Sequence, residues 1–267
     1  MKLLTLNVHG WQEENQMEKL KMLARDIANE RYDVIALQEV MQSIDSPVVK
    51  GNIKQNNYAL VLIQLLQELD VHDYDFVWDM AHYGFETYEE GLAILSRHPI
   101  KSNNSFFVTE LQDMNNWKTR KIVSAVITYE GNDLNFFSGH FGWWNDETAP
   151  FKEQIDAFFK HVPESGLSFL MGDLNNDANV RDEGFDYVKS NRFYDTYEMA
   201  EKKDDGITIK GAIAGWNQNG KEDGRRIDYI LCSKPLNVKS SYVRFNGKET
   251  PMVSDHAGVT VTLELEN

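Results

Sequence analysis

Several short apolar runs in this chain begin or end abruptly at a carboxylate, an amide or an imidazole, and that recurrence constrains the fold more than any other feature. The plainest case is LSFLMGDLNND, Leu167 to Asp177. Leu167, Phe169, Leu170 and Met171 have the length and composition of a buried strand, and Gly172 hands the chain straight to Asp173, Asn175, Asn176 and Asp177. Asn7 closes the first apolar run, Glu39 follows Tyr32 to Leu37, and His140 follows Phe136-Phe137-Ser138-Gly139. Ser254-Asp255-His256 precedes the last run. A single such end would be a turn, since Gly, Asp and Asn favour turns. Repeated, it is how a sandwich or α/β sheet delivers chemistry to its rim.

Two further acids lie at apolar runs. Asp228 interrupts Ile227 to Leu231, and Glu90 stands before Gly91-Leu92-Ala93-Ile94. Burying a carboxylate there is costly unless it meets a metal, a histidine or a hydrogen-bond donor. Acids, amides and two histidines without a cysteine cluster form an oxygen-rich donor set. That suits a hard cation, Mg²⁺ or Mn²⁺, better than zinc.

Between these points the pattern alternates. Strands are expected at Lys2 to Val8, Tyr32 to Leu37, Phe76 to Trp78, Gly91 to Ser96, Ile122 to Tyr129, Asp133 to Ser138, Ile227 to Cys232, Lys239 to Phe245 and Gly258 to Leu265. Helices are expected at Met17 to Glu30, Asn57 to Leu69 and Glu153 to His161, with short ones at Phe185 to Ser190 and Thr196 to Lys202. Residues 42 to 56 read as a polar loop. With no repeat and no linker-like tract, one α/β domain over residues 1 to 267 is expected.

The charge bears on partners. Forty-two acids against twenty-seven bases leave −15, with no basic cluster to neutralise a phosphate backbone. Nucleic acid and anionic membrane are therefore disfavoured as main partners, and a small charged metabolite with a divalent metal fits better. The longest apolar stretch, Tyr58 to Leu66, is too short to span a bilayer. Nothing resembles an export signal, so a cytoplasmic location is expected. Cys232, the one cysteine, sits in an apolar run and reads as packing.

The pieces LNVHG (Leu6 to Gly10), LQEV (Leu37 to Val40), EGLAILSR (Glu90 to Arg97), SGHF (Ser138 to Phe141), GDLN (Gly172 to Asn175), RIDYI (Arg226 to Ile230) and SDH (Ser254 to His256) occur in that order. Together they resemble the endonuclease/exonuclease/phosphatase superfamily. The resemblance implies a four-layer α/β sandwich, two packed mixed sheets flanked by helices, that hydrolyses phosphate esters with Mg²⁺. It further implies Glu39 as principal metal ligand with Asn7 and Asp255 close by. Asp173 would deprotonate the attacking water, and Asn7 and Asn175 would donate to phosphoryl oxygens. His256 would be held by Asp228, and His140 by Glu90, near the leaving oxygen. Independently, a carboxylate on one ring nitrogen fixes a histidine's tautomer and raises its basicity. Arg120 could grip phosphate as a forked donor or lie on the surface.

The choice of ester rests on departures from the nuclease pattern. The superfamily's AP endonucleases have tyrosine at the His140 position and an acid where this chain has His9. Trp11, Trp143, Trp144 and Trp216 are expected at the active-site rim, where indole faces suit a sugar or a base. The segment Ala81 to Phe85 is a further candidate substrate loop. LNVHGWQEENQ and the Gly215-Trp216-Asn217 loop resemble a bacterial subgroup that includes maltose 6′-phosphate phosphatases. The expected activity is a phosphomonoesterase acting on a phosphorylated sugar. The alternatives are a nuclease, a sphingomyelinase-like phosphodiesterase and a catalytically silent binding module.

Overall fold

The structure, a computed structural model, describes residues 1–211, 216 and 224–265. The first part of the chain gives β1 (Lys2–Asn7), α1 (Gln16–Glu30), β2 (Val34–Ser43), β3 (Val48–Lys50), β4 (Ile53–Lys54), α2 (Tyr58–Glu68), β5 (Asp75–Gly84) and β6 (Tyr88–Ser96). The middle gives β7 (Ile100–Phe107), β8 (Lys121–Tyr129), β9 (Asn132–His140), α3 (Phe151–Phe159), β10 (Ser168–Asp173) and α4 (Gly184–Ser190). The last part gives β11 (Tyr194–Asp195), α5 (Thr196–Met199), β12 (Lys202–Lys203), β13 (Asp228–Cys232), β14 (Asn237–Arg244) and β15 (Gly258–Glu264).

All of these strands but β3 and β4 form two mixed sheets. The seven-stranded sheet runs β12-β14-β15-β1-β2-β6-β5, and the six-stranded sheet runs β11-β13-β10-β9-β8-β7. Strand parity explains how they stack. In β1, Leu4 and Leu6 pack under α1 and α2 with Leu20, Leu23, Ile27, Leu62 and Leu66, while Leu3 points to the other sheet. In β10, Leu170 packs under α3 and α4 with Ile155, Phe158 and Val188, while Phe169 and Met171 meet Leu3, Val34 and Ile94 between the sheets. The result is the four-layer helix–sheet–sheet–helix arrangement that the resemblance implies. Among the described residues no helix is long and apolar enough to cross a membrane.

The same parity carries polar side chains into the gap between the sheets wherever a strand outruns the apolar core. Thr5 and Asn7 continue the face of Leu3, Ser138 and His140 that of Phe136, and Asp173 that of Met171. Asp228 sits one step beyond Ile230 on β13. All of these are at one end of the two sheets: β1 and β2 run parallel, β9 and β10 run parallel, and β13 is antiparallel to β10 with Asp228 opposite Asp173.

Two irregularities complete the set. Between Leu37 and Val40 the pairing of β2 with β6 shifts by one residue, and Glu39 takes φ 52°. Simple alternation would send Glu39 under the helices with Ile35 and Leu37; the bulge turns it into the gap. A second shift, between Met80 and His82, sets His82 beside Glu90.

Several elements depart from the sequence reading. The strand after Tyr32 does not end at Leu37 but continues through the bulge to Ser43, and residues 42 to 56 include the β3–β4 hairpin. Strand β7 has no apolar alternation because it is an edge strand paired only with β8, its middle exposed. The helix at Thr196 stops at Met199, and Lys202 enters β12. Helix α2 begins where expected because the Asn57 side chain accepts from the amides of Ala59 at 3.0 Å and Leu60 at 3.2 Å.

Candidate active site

The polar ends gather on a cavity of about 880 Å³. Glu39, Glu90, Arg120, His140, Asp173, Asn175, Asp255 and His256 all line it. At its floor, one carboxylate oxygen is the common point. Asp173 Oδ2 lies 3.3 Å from Asn7 Nδ2, 3.6 Å from His140 Nε2 and 3.7 Å from His256 Nε2. Its partner Oδ1 accepts the Asn175 backbone amide at 2.8 Å, which fixes the carboxylate plane. Asn7 Nδ2 also donates to Glu39 Oε1 at 2.8 Å, so residues from β1, β2 and β10 share one hydrogen-bonded group. Asn175, like Glu39, has positive φ, 50°. Backbone strain at two such positions is characteristic of residues held for function.

The two histidines differ. His256 Nδ1 donates to Asp228 Oδ2 at 3.0 Å, the pairing expected from the sequence. Burial opposes a charge on this ring, yet Asp228 and Asp173 outweigh it and raise its pKa to about 10. His140 instead is held well below its ordinary value by burial and by the nearby Arg120 and His256 cations. Asn175 Nδ2 donates to its Nε2 at 3.2 Å, as a neutral ring allows.

The expected pairing of His140 with Glu90 does not form. Glu90 Oε1 lies 3.4 Å from His82 Nε2, because the β5 bulge places that imidazole directly across the strand pair. His140 faces Glu39 Oε1 instead, at 3.9 Å. His82, missed as a pairing partner, has its Nδ1 bound to the Tyr83 carbonyl at 3.2 Å. Only the bulge, which composition does not reveal, could have pointed to it.

The carboxylates are under-compensated. Burial first, then Glu90, pushes Glu39 up to about 7; burial, then Asp228, pushes Asp173 up to about 7. Buried acids crowded against one another with oxygen donors at hydrogen-bond distance form a donor set that a hard divalent cation would relieve. The residues therefore fit such an ion. Asp173, Asp228 and His256 each bring a ligand atom within 4.8 Å of the others, an arrangement that could bind a metal. His9, Glu13 and Asp255 form a similar group, but there Glu13 is already neutralised by Lys19 and accepts the Asp255 amide at 3.1 Å.

Arg120 is buried and lines the cavity, and its guanidinium has no hydrogen-bonded or ion-paired side chain among the described residues. The tryptophans divide. Trp143 lines the cavity, whereas Trp144 packs against Phe151 and Tyr187 beneath the helices. Trp11 is also away from the rim, edge-on to Tyr58 with its Nε1 bonded to the Met41 and Asn56 carbonyls. Both indoles fill the helix-side cores, where a large apolar ring is worth more buried. Trp216 does not line the cavity but donates from Nε1 to Asn175 Oδ1 at 2.9 Å, holding the amide that meets His140. Gly215 and Asn217 of its loop lie outside the described residues. His82, Tyr83, Gly84 and Phe85 line the cavity, as does Trp117, which the sequence reading passed over.

The family model described as the endonuclease/exonuclease/phosphatase family matches residues 4–256. A comparison with the curated proteins finds no match. Among solved structures, an endonuclease/exonuclease/phosphatase family protein from Leptotrichia buccalis is 44% identical with a TM-score of 0.93, covering 99% of this chain and 100% of its own. The mannosyl-6-phosphatase Bt3783 of Bacteroides thetaiotaomicron shares the fold at 18% identity and TM-score 0.69, covering 99% and 100%. TDP2 of D. rerio, solved with a single-strand DNA product, does so at 17% identity and TM-score 0.66, covering 99% of each chain. This chain therefore belongs to the endonuclease/exonuclease/phosphatase family, whose members are metal-dependent hydrolytic phosphoesterases.

Proposed function

We propose that the whole chain acts as one catalytic domain, a Mg²⁺-dependent phosphomonoesterase that hydrolyses a small phosphorylated sugar in the cytoplasm. The observation that carries this reading is the charge of the cavity. Glu39, Glu86, Glu90, Asp173 and Asp255 line it, and among the described residues that do so Arg120 is the one Lys or Arg, with the protonated His256 the other positive charge. A compact phosphate with a neutral alcohol suits that surface; a polynucleotide with further phosphates on either side does not. Fold likeness to both a sugar phosphatase and a protein bound to DNA leaves the choice to such local features.

Glu39 and Asn7, with Asp255 beside them, would hold the cation, which when bound draws charge from the phosphoryl oxygens and eases ionisation of water. Asp173 Oδ2 takes the proton of the attacking water. Its Oδ1 is tethered by the Asn175 amide, so Oδ2, which Asn7 Nδ2 approaches at 3.3 Å, stays aimed into the cavity. His256, kept protonated by Asp228, places a positive charge and a donor against the developing phosphorane oxygens. The forked guanidinium of Arg120 orients the phosphate for in-line attack, while Asn7 and Asn175, whose amide hydrogens go to Glu39, Asp173, His140 and the Phe141 carbonyl, hold the groups around it. His140, neutral and fixed by Asn175, steadies the leaving oxygen.

Assay of the purified protein with Mg²⁺ against hexose phosphates, maltose 6′-phosphate and supercoiled plasmid in parallel tests this. Release of inorganic phosphate from the sugar esters with intact plasmid is expected. Nicked plasmid beside inert sugar esters would reverse the assignment in favour of a nuclease.

A further inference from the structure

Trp117 is 52% exposed and Phe85 57% exposed, yet both border the catalytic cavity. They come from different segments, Phe85 from the β5–β6 turn and Trp117 from the β7–β8 connection. Neither indole nor phenyl contributes to handling phosphate, so the chemistry above leaves both unused.

The segment that carries Trp117 is built to hold it in place. Arg120, three residues on, donates its amide to Thr109 Oγ1 at 3.1 Å, and Val108 returns a backbone bond to Arg120 at 3.0 Å. Thr119 Oγ1 binds the Asp113 carbonyl at 2.6 Å, and the Lys118 amide binds Asn116 Oδ1 at 3.0 Å. The Tyr83 amide donates to the Met114 carbonyl at 2.7 Å, tying the segment to β5 beside Phe85. Lys118 Nζ reaches Asp146 at 2.8 Å, tying it to the stretch that follows Trp143. The Trp117 and Trp143 rings meet edge-on with centroids 6.1 Å apart. A connection pinned at this many points that still leaves a large ring in solvent at a cavity mouth matches an apolar patch kept for a ligand.

We propose that Trp117, with Phe85, selects the leaving group: the two rings favour phosphate monoesters whose alcohol extends from the phosphate as linked rings over esters of short alcohols. This rests on the phosphomonoesterase reading and adds to it two residues that would set specificity. The cavity volume of about 880 Å³ lies at the upper end of ligand-sized pockets and leaves room beyond a phosphate. The C–H faces of saccharide rings, or the faces of any flat ring, would cover the exposed indole and phenyl.

The test compares kcat/KM with Mg²⁺ for glycerol phosphate, a hexose 6-phosphate and a disaccharide 6-phosphate. In the wild type kcat/KM should climb along that series by about a hundredfold, and Trp117→Ala or Phe85→Ala should each reduce the disaccharide-to-glycerol ratio by about tenfold, mainly through KM. Trp117→Phe, which keeps an apolar ring, should preserve most of the ratio. A wild-type ratio near one would overturn the inference. So would a Trp117→Ala loss equal for every ester, since Trp117 would then serve only to support Arg120. Phosphate released from none of the esters would overturn the phosphomonoesterase reading itself, whereas release without selectivity removes only the leaving-group platform.

Discussion

Asp173 is the residue on which the site turns, because its Oδ2 is the one atom that Asn7, His140 and His256 all approach. Replacing it with Asn changes neither volume nor shape but removes the base. Turnover of Asp173→Asn should fall roughly a thousandfold, measured as phosphate release at saturating Mg²⁺. The fold should survive, since the substitution removes a buried charge that Asp228 and Glu39 already oppose. Near-normal turnover would mean that another carboxylate activates the water. The neighbouring histidines show how environment divides like residues. His256 is held charged by two carboxylates, while His140, a few ångströms away, is held neutral first by burial and then by the neighbouring cations.

At the scale of elements, the site depends on where strands stop. Gly172 sits one residue before Asp173 with φ 145°, and a Cβ there would come within 2.0 Å of the Gly139 carbonyl on β9. Gly172→Ala should therefore cost on the order of 3 kcal/mol in chemical denaturation and should also depress turnover, because relieving the clash parts the strands that bear His140 and Asp173. Unchanged stability would show that β9 and β10 can separate freely. The strand ends at Asn7, His140, Asp173 and Asp228 were legible in the sequence because each follows or interrupts an apolar run that parity alone orients. What was not legible depends on irregular backbone. The bulge that turns Glu39 inward and the one that gives Glu90 to His82 both need the partner strand's register, which a single sequence does not hold. Trp11 and Trp144 show the converse limit: indoles close in sequence to site residues can still point into the opposite layer. Trp117 escaped notice because its segment has no periodicity, only turns closed by Asp113 and Asn116 side chains.

At the scale of the whole molecule, the acidic pocket couples metal, pH and stability. In the metal-free protein His256 keeps its proton to about 10, and Asp173 and Glu39 keep theirs to about 7. All three bind protons more tightly folded than unfolded, so their contribution is complete at low pH and is lost as pH rises through the folded values. His140, shifted the other way, acts only below the ordinary imidazole range. Metal-free protein should thus lose on the order of 1–3 kcal/mol between about pH 7 and about pH 10, read as a falling thermal midpoint. Asp228→Asn should flatten that slope, since it removes the charge that holds the His256 proton. A slope identical in wild type and variant would place the titration elsewhere.

Residues from separate strand ends of the two sheets would together hold one divalent cation. Calorimetric titration of Mg²⁺ into the wild type and into Glu39→Gln tests it most directly. Binding to the wild type that weakens at least about tenfold in Glu39→Gln is predicted. Equal affinity in the two proteins, or no binding to the wild type, would contradict it.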